Sequence, residues 1–148
     1  MLIERRFYRD ERGYFEKLSD GIQPIMQVNY SVTKKKGTVR GMHYQDGETK
    51  VVTCVQGKVF DVDVNLMDYS YEPVVLSEDG RHQNIIYPGH AHGFQALTDD
   101  AILIYLHTKP YDPLNEKGLH PLDEKIGIEW PLRVICLSER DKSFRRIP

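Results

Sequence analysis

The sequence predicts an all-β domain, built as an antiparallel sandwich or barrel. Short runs of β-branched and aromatic residues recur at spacings of about 8–12 residues, and turn-forming residues separate them. The run Val59–Leu66 largely alternates apolar and polar side chains, which is typical of a strand with one buried face. Helical periodicity is nearly absent. A barrel of this kind has a closed core and a mouth where a small ligand can bind.

Seven runs are predicted to be strands: Ile25–Val32, Val51–Val55, Lys58–Val64, Pro73–Leu76, Gln83–Tyr87, His92–Leu97 and Ala101–His107. Turn-forming pairs such as Asp79–Gly80 and Pro88–Gly89 stand between them. Short helical turns are expected only near Asp112–Asn115 and Ser138–Ser143.

Length and composition favour one domain over residues 1–148, because domains are typically about 100–200 residues long. With 20 Lys and Arg residues against 22 Asp and Glu residues, the net charge of -2 gives no electrostatic reason to expect nucleic acid as a partner. No apolar run is long enough for a membrane helix, and the first residues lack a hydrophobic signal region. Cys54 and Cys136 are too few for a disulfide framework. We therefore expect a soluble, cytoplasmic protein with no membrane partner.

Polar residues that carry chemistry concentrate in three stretches: Gly37–Gln45, Pro88–Phe94 and Glu139–Lys142. In an alternating strand, His43 and Gln45 point to the same face. Arg40 falls on the other face unless Gly41 bends the strand. A polar pair that faces the interior of a small barrel is costly unless it is satisfied, and a ligand site is one way to satisfy it.

Two glycine–histidine spacings resemble the two-part metal motif of the cupin superfamily. One glycine lies six residues before His43 and another lies three residues before His92. Gln45 stands where metal-binding cupins have a second histidine, and glutamine is a poor ligand for zinc or iron. Glu48 follows too early for the usual glutamate. The resemblance therefore implies a cupin-like antiparallel β-barrel (jelly roll) with no metal and no cofactor. Three other histidines, His82, His107 and His120, are expected to be surface or structural residues.

The most specific motif is Val39–Gln45, and further matching segments extend over nearly the whole chain. These segments are Asp10–Phe15, Gln27–Ser31, Lys50–Val62, Ala91–Phe94, Tyr105, Tyr111, Gly127–Pro131 and Leu137–Asp141. Together they resemble the dTDP-4-dehydrorhamnose 3,5-epimerase family, the keto-sugar epimerases of deoxysugar biosynthesis. The resemblance implies a metal-independent isomerase whose substrate is a nucleotide-linked 4-keto-6-deoxy sugar, most simply a dTDP-linked one.

The resemblance also implies catalytic roles. A carbonyl at carbon 4 acidifies the protons on the two adjacent carbons, and inversion needs a base on one face and an acid on the other. By the match, His43 is the base and Asp141 orients its imidazole. Tyr105 returns a proton from the opposite face, and Lys50 stabilises the enolate. Without the resemblance, Tyr105 is expected to be a core residue, Asp141 part of a helix cap and Lys50 a solvated charge.

Six further residues match positions of the substrate pocket: Arg12, Gln27, Asn29, Arg40, Gln45 and His92. In the family some of these come from a neighbouring subunit. The resemblance therefore implies a homodimer in which the segments around Arg12 and Gln27 complete the neighbour's site.

The chain departs from the family pattern at three places. Lys17 stands where the family usually has a glutamate, and Glu16 precedes it. His90 replaces a common phenylalanine, and the loop from His43 to Lys50 is short. These departures leave open which sugar and base are bound and whether one or both carbons are epimerised. The alternatives are a single-carbon epimerase, a sugar-binding cupin without catalysis, and a metal-dependent cupin enzyme.

Overall fold

A computed structural model describes residues 1–19 and 21–148. The strands of the described part are β1 Leu2–Glu4, β2 Arg6–Asp10, β3 Gly13–Lys17, β4 Gln27–Thr33, β5 Val39–Gln45, β6 Lys50–Gln56, β7 Lys58–Asn65, β8 Tyr71–Ser77, β9 His82–Ile86, β10 His90–Ala96, β11 Ala101–His107 and β12 Glu116–Gly118. One short helix, α1, covers Glu139–Ser143. Within the described ranges, no helix is both long enough and apolar enough to span a membrane.

The strands form two five-stranded antiparallel sheets. The first sheet has the order β1-β9-β6-β11-β4, and the second has the order β12-β5-β10-β7-β8. Strands β2 and β3 pair with each other as a separate hairpin. The expected all-β jelly roll is confirmed, although strand pairing in the described part does not close the two sheets into a barrel.

All seven predicted runs lie in strands, with ends that differ by a few residues. The helical turn at Ser138–Ser143 is α1, with Ser138 as its N-cap, and Asp112 accepts hydrogen bonds from two backbone N–H groups in the other expected turn. Strand β1, the β2–β3 hairpin and strand β12 are not predicted by the sequence pattern. These strands are three to five residues long and mostly exposed, so they carry little apolar alternation.

An apolar core fills one part of the space between the sheets. Val52 and Leu103 come from the first sheet, and they pack with Val59 and Phe94 of the second sheet. The outer faces are also covered. Ile126 packs with Met42, Val62 and Val64 on the second sheet, and partly buried Ile3, Ile22 and Ile25 pack around Val51, Ile85 and Leu106 on the first.

A bulge in β5 sets the direction of Arg40. His92 of β10 pairs with His43 and Phe94 pairs with Arg40, so three steps along β5 match two steps along β10. The bulge includes Gly41, whose φ is +132°. A Cβ atom at Gly41 would lie 2.6 Å from the Cα atom of Gly93, so the two strands approach closely only because glycine stands there. Strict alternation would have put Arg40 on the other face of β5, but the bulge at Gly41 brings Arg40 to the cavity that His43 lines.

Candidate active site

A cavity of about 520 Å³ lies between the two sheets, beside the apolar core. Strands β4, β6 and β11 supply the wall on the first sheet, and β5 and β10 supply the wall on the second. Nine of the expected site residues line this cavity: Gln27, Asn29, Arg40, His43, Gln45, Lys50, His92, Tyr105 and Asp141. Arg12 is not among the lining residues.

His43 and Asp141 form a hydrogen-bonded pair on the wall of the second sheet. His43 Nε2 lies 2.7 Å from Asp141 Oδ1, and the backbone N–H of Gly41 donates to Asp141 Oδ2 at 3.0 Å. Asp141 is only 3% exposed. Its own N–H donates to Ser138 Oγ, so it belongs to the helix cap and to the site at once. The strand bulge and the capped helix together fix the carboxylate that orients His43.

The Asp141 carboxyl is held in its ionised form. Burial acts to raise the pKa of Asp141, but the hydrogen bond and charge of His43 and the Gly41 N–H lower it further, so the net pKa lies below the ordinary 3.8. An ionised carboxylate beside an imidazole stabilises the imidazolium that forms when the imidazole takes up a proton. The arrangement can support a base at His43.

Tyr105 lines the opposite wall, on β11 of the first sheet. Its Oη lies 2.9 Å from Ser31 Oγ, and its ring packs edge-on against His92 with centroids 6.2 Å apart. Burial raises the pKa of Tyr105 above its ordinary 10.0, so the phenol keeps its proton at neutral pH. The cavity thus has a proton acceptor on one wall and a proton donor on the other.

Lys50 stands on β6, beside β11 in the same sheet as Tyr105. In the part of the chain that the structure describes, its ammonium has no hydrogen-bond or salt-bridge partner and it lines the cavity. Burial lowers the pKa of Lys50, and the carboxylates of Glu48 and Glu116 offset part of that effect. An unpaired ammonium at a cavity wall can stabilise a negative charge that develops on a bound ligand.

His92 is held by a second carboxylate. Its Nε2 lies 2.7 Å from Asp61 Oδ1, and Asn84 donates to the other oxygen of Asp61 at 2.9 Å. All three side chains are buried. His92 is therefore fixed in orientation beside Tyr105.

The polar groups of Arg40, Gln45 and Gln27 bond mainly to backbone and loop atoms. Arg40 donates to Thr33 Oγ1 and to the carbonyl of Val32. Gln45 donates to the carbonyl of Pro110 and accepts from the N–H of Asp112. Gln27 accepts from the N–H of Tyr111 at 2.6 Å. The two glutamines thus hold the loop at residues 110–112 against the cavity. Gln27 lines the cavity of its own chain, whereas its segment was expected to complete a neighbour's site.

Arg12 lies on the exposed turn of the β2–β3 hairpin and pairs with Asp10.

The three departures from the family pattern lie in different parts of the structure. Glu16 forms an ion pair with Arg5, and Lys17 is exposed. His90 pairs with Asp63 and does not line the cavity. The short loop before Lys50 places Glu48 in the cavity wall.

Several lining residues were not expected from the sequence: Ser31, Glu48, His107, Tyr111, Glu116 and Arg140. His107 was expected to be a surface or structural residue. Strand alternation could have identified it, because His107 lies two residues after Tyr105 and so shares its face. Glu48 lies in a turn, where no periodic pattern indicates direction. In residues 1–19 and 21–148, no group of three or more His, Cys, Asp or Glu residues is arranged to hold a metal ion.

Comparison with known proteins identifies the family. The family model for dTDP-4-dehydrorhamnose 3,5-epimerase matches residues 1–147. A dTDP-4-dehydrorhamnose 3-epimerase of Streptomyces niveus is 42% identical over 126 residues, which is 80% of this chain and 60% of that relative. The crystal structure of a 4-keto-6-deoxy sugar epimerase from the novobiocin gene cluster of Streptomyces spheroides is 36% identical, with a TM-score of 0.90 over 98% of this chain and 81% of that one. The epimerase of Legionella pneumophila, solved with dTDP-4-keto-L-rhamnose, is 33% identical, with a TM-score of 0.90 over 98% of this chain and 86% of that one. The chain belongs to the dTDP-4-dehydrorhamnose 3,5-epimerase family.

Proposed function

We propose that the cavity epimerises a nucleotide-linked 4-keto-6-deoxy sugar, and that the nucleotide is dTDP. One observation carries the proposal: a carboxylate-held imidazole and a protonated phenol line opposite walls of one cavity. Inversion of a carbon next to a carbonyl needs this arrangement, because the proton leaves from one face and returns to the other. The family and the dTDP-sugar complex of the Legionella pneumophila relative support the same substrate class.

His43 begins the reaction by taking a proton from a carbon next to the C4 carbonyl. The C–H bond breaks, its electron pair forms the enolate, and negative charge develops on the carbonyl oxygen. Asp141 stabilises the imidazolium, and the Lys50 ammonium stabilises the enolate oxygen. Each group acts on charge that is larger in the transition state than in the bound sugar.

Tyr105 then completes the inversion. Its O–H bond breaks, a C–H bond forms on the opposite face of the same carbon, and the C4 carbonyl is restored. The phenolate and the imidazolium return to their starting forms by proton exchange with solvent. Solvent hydrogen therefore enters the product, which gives the reaction a measurable label.

The number of inverted carbons is a separate question. The family model is described as a 3,5-epimerase, whereas the Streptomyces niveus relative is a 3-epimerase. A single-carbon epimerase is therefore the second candidate function. Product analysis separates the two, because a 3,5-epimerase takes up solvent hydrogen at two carbons and a 3-epimerase inverts only one.

We also infer that the reaction needs no metal and takes place in the cytoplasm. Gln45, at the place of a metal ligand in cupins, uses its amide on the 110–112 loop, and both His43 and His92 hold a carboxylate through Nε2. The two cysteines are unpaired, which suits a reducing compartment. Activity that a chelator abolishes and one divalent ion restores would contradict the first inference.

A homodimer is part of the proposal. Strand β4 is an edge of the first sheet, and its outward residues Val28 and Tyr30 are 60% and 73% exposed, with Met26 beside them. A row of apolar side chains on an unpaired edge is typical of a surface that a partner covers. A second copy that covers this face accounts for the family role of Arg12, which does not line the cavity of its own chain.

The deciding experiment is incubation with a dTDP-linked 4-keto-6-deoxyhexose in deuterated water. We expect deuterium at one or both carbons next to the carbonyl, together with inverted product, by mass spectrometry and NMR. Binding of the sugar nucleotide with no deuterium uptake would make the chain a binding protein and overturn the proposal.

A further inference from the structure

The cavity contains a second carboxylate–imidazole pair that the proposed reaction does not use. Glu48 Oε1 lies 2.8 Å from Nδ1 of His107, and both residues line the cavity. Their side chains are 9% and 13% exposed. Burial of a carboxylate is costly unless it is paired, and His107 is the partner of Glu48 here.

The pair resembles the arrangement of His43 and Asp141, but it lies on the other wall. His107 is on β11 of the first sheet, two residues after Tyr105, and their rings stack with centroids 6.2 Å apart and planes at 27°. Lys50 is the cross-strand partner of His107 on β6. His107 therefore stands with the proposed proton donor and the proposed enolate-stabilising group.

The position of the pair is fixed by the backbone. The N–H of Thr108 donates to the carbonyl of Thr49, and the N–H of Thr49 donates to Thr108 Oγ1. These bonds join the end of β11 to the turn that carries Glu48. The residues that face each other here are consequently held in register rather than brought together by a mobile loop.

The tautomer of His107 follows from its partner. The carboxylate of Glu48 can only accept, so Nδ1 carries a proton and donates it. The other nitrogen, Nε2, lies 3.3 Å from Asn29 Nδ2, a long contact at the limit of a hydrogen bond. In this tautomer Nε2 is unprotonated and accepts from Asn29 Nδ2, so proton exchange with a ligand in the cavity replaces this contact.

We propose that His107, oriented by Glu48, is a second proton donor on the Tyr105 wall of the cavity. This inference rests on the proposed epimerase function. In its imidazolium form, the Nε2–H bond of His107 breaks and a C–H bond forms at the enolate carbon with the electron pair of the enolate. The C4 carbonyl is restored, and the neutral imidazole regains a proton from solvent.

Charged groups line the cavity around His107 on both sheets. Glu48 stabilises a positive imidazolium directly, while Lys50 is a like charge on the neighbouring strand. From the opposite sheet, His43 and Glu116 line the same cavity. Tyr105 is a phenol with its pKa raised by burial, so it is a weak acid, and an imidazolium is a stronger one.

The test compares His107→Phe with the unsubstituted protein on a dTDP-linked 4-keto-6-deoxyhexose in deuterated water. Phenylalanine keeps a ring beside Tyr105 and removes both nitrogens. We expect deuterium exchange to continue at a comparable rate, because His43 is intact, and inverted product to fall by about 10²-fold, the low end for an acid–base group. His90→Phe is the matched control, because His90 also pairs with a carboxylate but does not line the cavity.

Each other outcome overturns a stated part of this inference. If His107→Phe inverts the sugar at the rate of the unsubstituted protein, His107 is not a proton donor. Exchange and inversion that fall together indicate a structural role, because both need the bound sugar. If Glu48→Gln keeps full inversion, Glu48 does not orient His107 for the reaction. If the unsubstituted protein shows no exchange, the proposed function is wrong and this inference falls with it.

Discussion

His43 and Asp141 are 98 residues apart in the sequence, yet their side chains meet at 2.7 Å in the cavity wall. Two local features bring them together. The bulge at Gly41 turns a backbone N–H toward the second oxygen of Asp141, and the Ser138 cap begins the helix that carries it. The placement of Asp141 beside His43 therefore depends on both elements.

Asp141→Asn is expected to lower deuterium exchange without abolishing it. The amide leaves His43 in place, but it no longer stabilises an imidazolium by charge. Stability should change as well. Since the pKa of Asp141 is lowered in the folded protein, its contribution is present above the ordinary value of 3.8 and is lost as the pH falls through the folded value. Urea titrations at pH 7 and at acid pH measure this, and an unchanged pH dependence in Asp141→Asn would contradict it.

His43→Asn and Tyr105→Phe are expected to fail in different ways. His43→Asn should abolish both deuterium exchange and epimerisation, because the proposed reaction begins with proton removal by His43 from its own wall of the cavity. Tyr105→Phe should keep exchange, since His43 removes and returns a proton on its own face, while inverted product falls by about 10²–10⁴-fold. Mass spectrometry of the recovered sugar nucleotide reports both quantities. Full epimerisation by His43→Asn would show that His43 is not the base.

We expect Lys50 to give the proposed reaction an alkaline limit. Its pKa is lowered by burial, so its ammonium loses a proton at a pH below the ordinary 10.5, and enolate stabilisation is lost there. Lys50→Arg should remove this alkaline limb, because a guanidinium stays charged, although the rate at neutral pH falls with the changed geometry. Lys58→Arg, on an exposed strand position, is the control. An alkaline limb that persists in Lys50→Arg would assign it to another group.

The sequence predicted most of the fold and much of the site. The strands that were predicted are buried on at least one face, so their apolar patterns are regular, as in β7. The expected residues that line the cavity lie in the segments that resemble the family. The sequence does not indicate what depends on distant partners: Glu48 reaches the cavity through a turn, and its partner His107 lies 59 residues away in the sequence.

Arg12 lies outside the cavity that its motif predicted it to line. Its motif matched the family, but the hairpin that carries it does not reach the cavity of the same chain. A motif in one chain does not show which copy of an assembly it serves. Distance along the sequence does not show which residues share a site either, since His43 and Asp141 are 98 residues apart and still meet.

Gly41→Ala should be more destabilising than Gly13→Ala, although both positions have φ near +130°. A non-glycine residue in such a conformation costs about 1–3 kcal/mol in either case. At Gly13 a Cβ atom has nothing within 4 Å, whereas at Gly41 it would lie 2.6 Å from the Cα atom of Gly93. The difference in free energy of unfolding, measured by urea denaturation, isolates the close approach of β5 and β10. Equal destabilisation would show that the bulge tolerates a side chain.

The apolar row on β4 predicts the oligomeric state. Light scattering should give a mass near twice 17.2 kDa, because Val28 and Tyr30 are covered in the proposed homodimer. Val28→Asp places a charge in that interface and should shift the mass toward 17.2 kDa, with a loss of epimerase activity if Arg12 serves the neighbouring cavity. Val75→Asp is the matched control, since Val75 is 54% exposed on β8, the edge of the other sheet. A monomer with full activity would contradict the homodimer, and dissociation by Val75→Asp alone would move the interface to the second sheet.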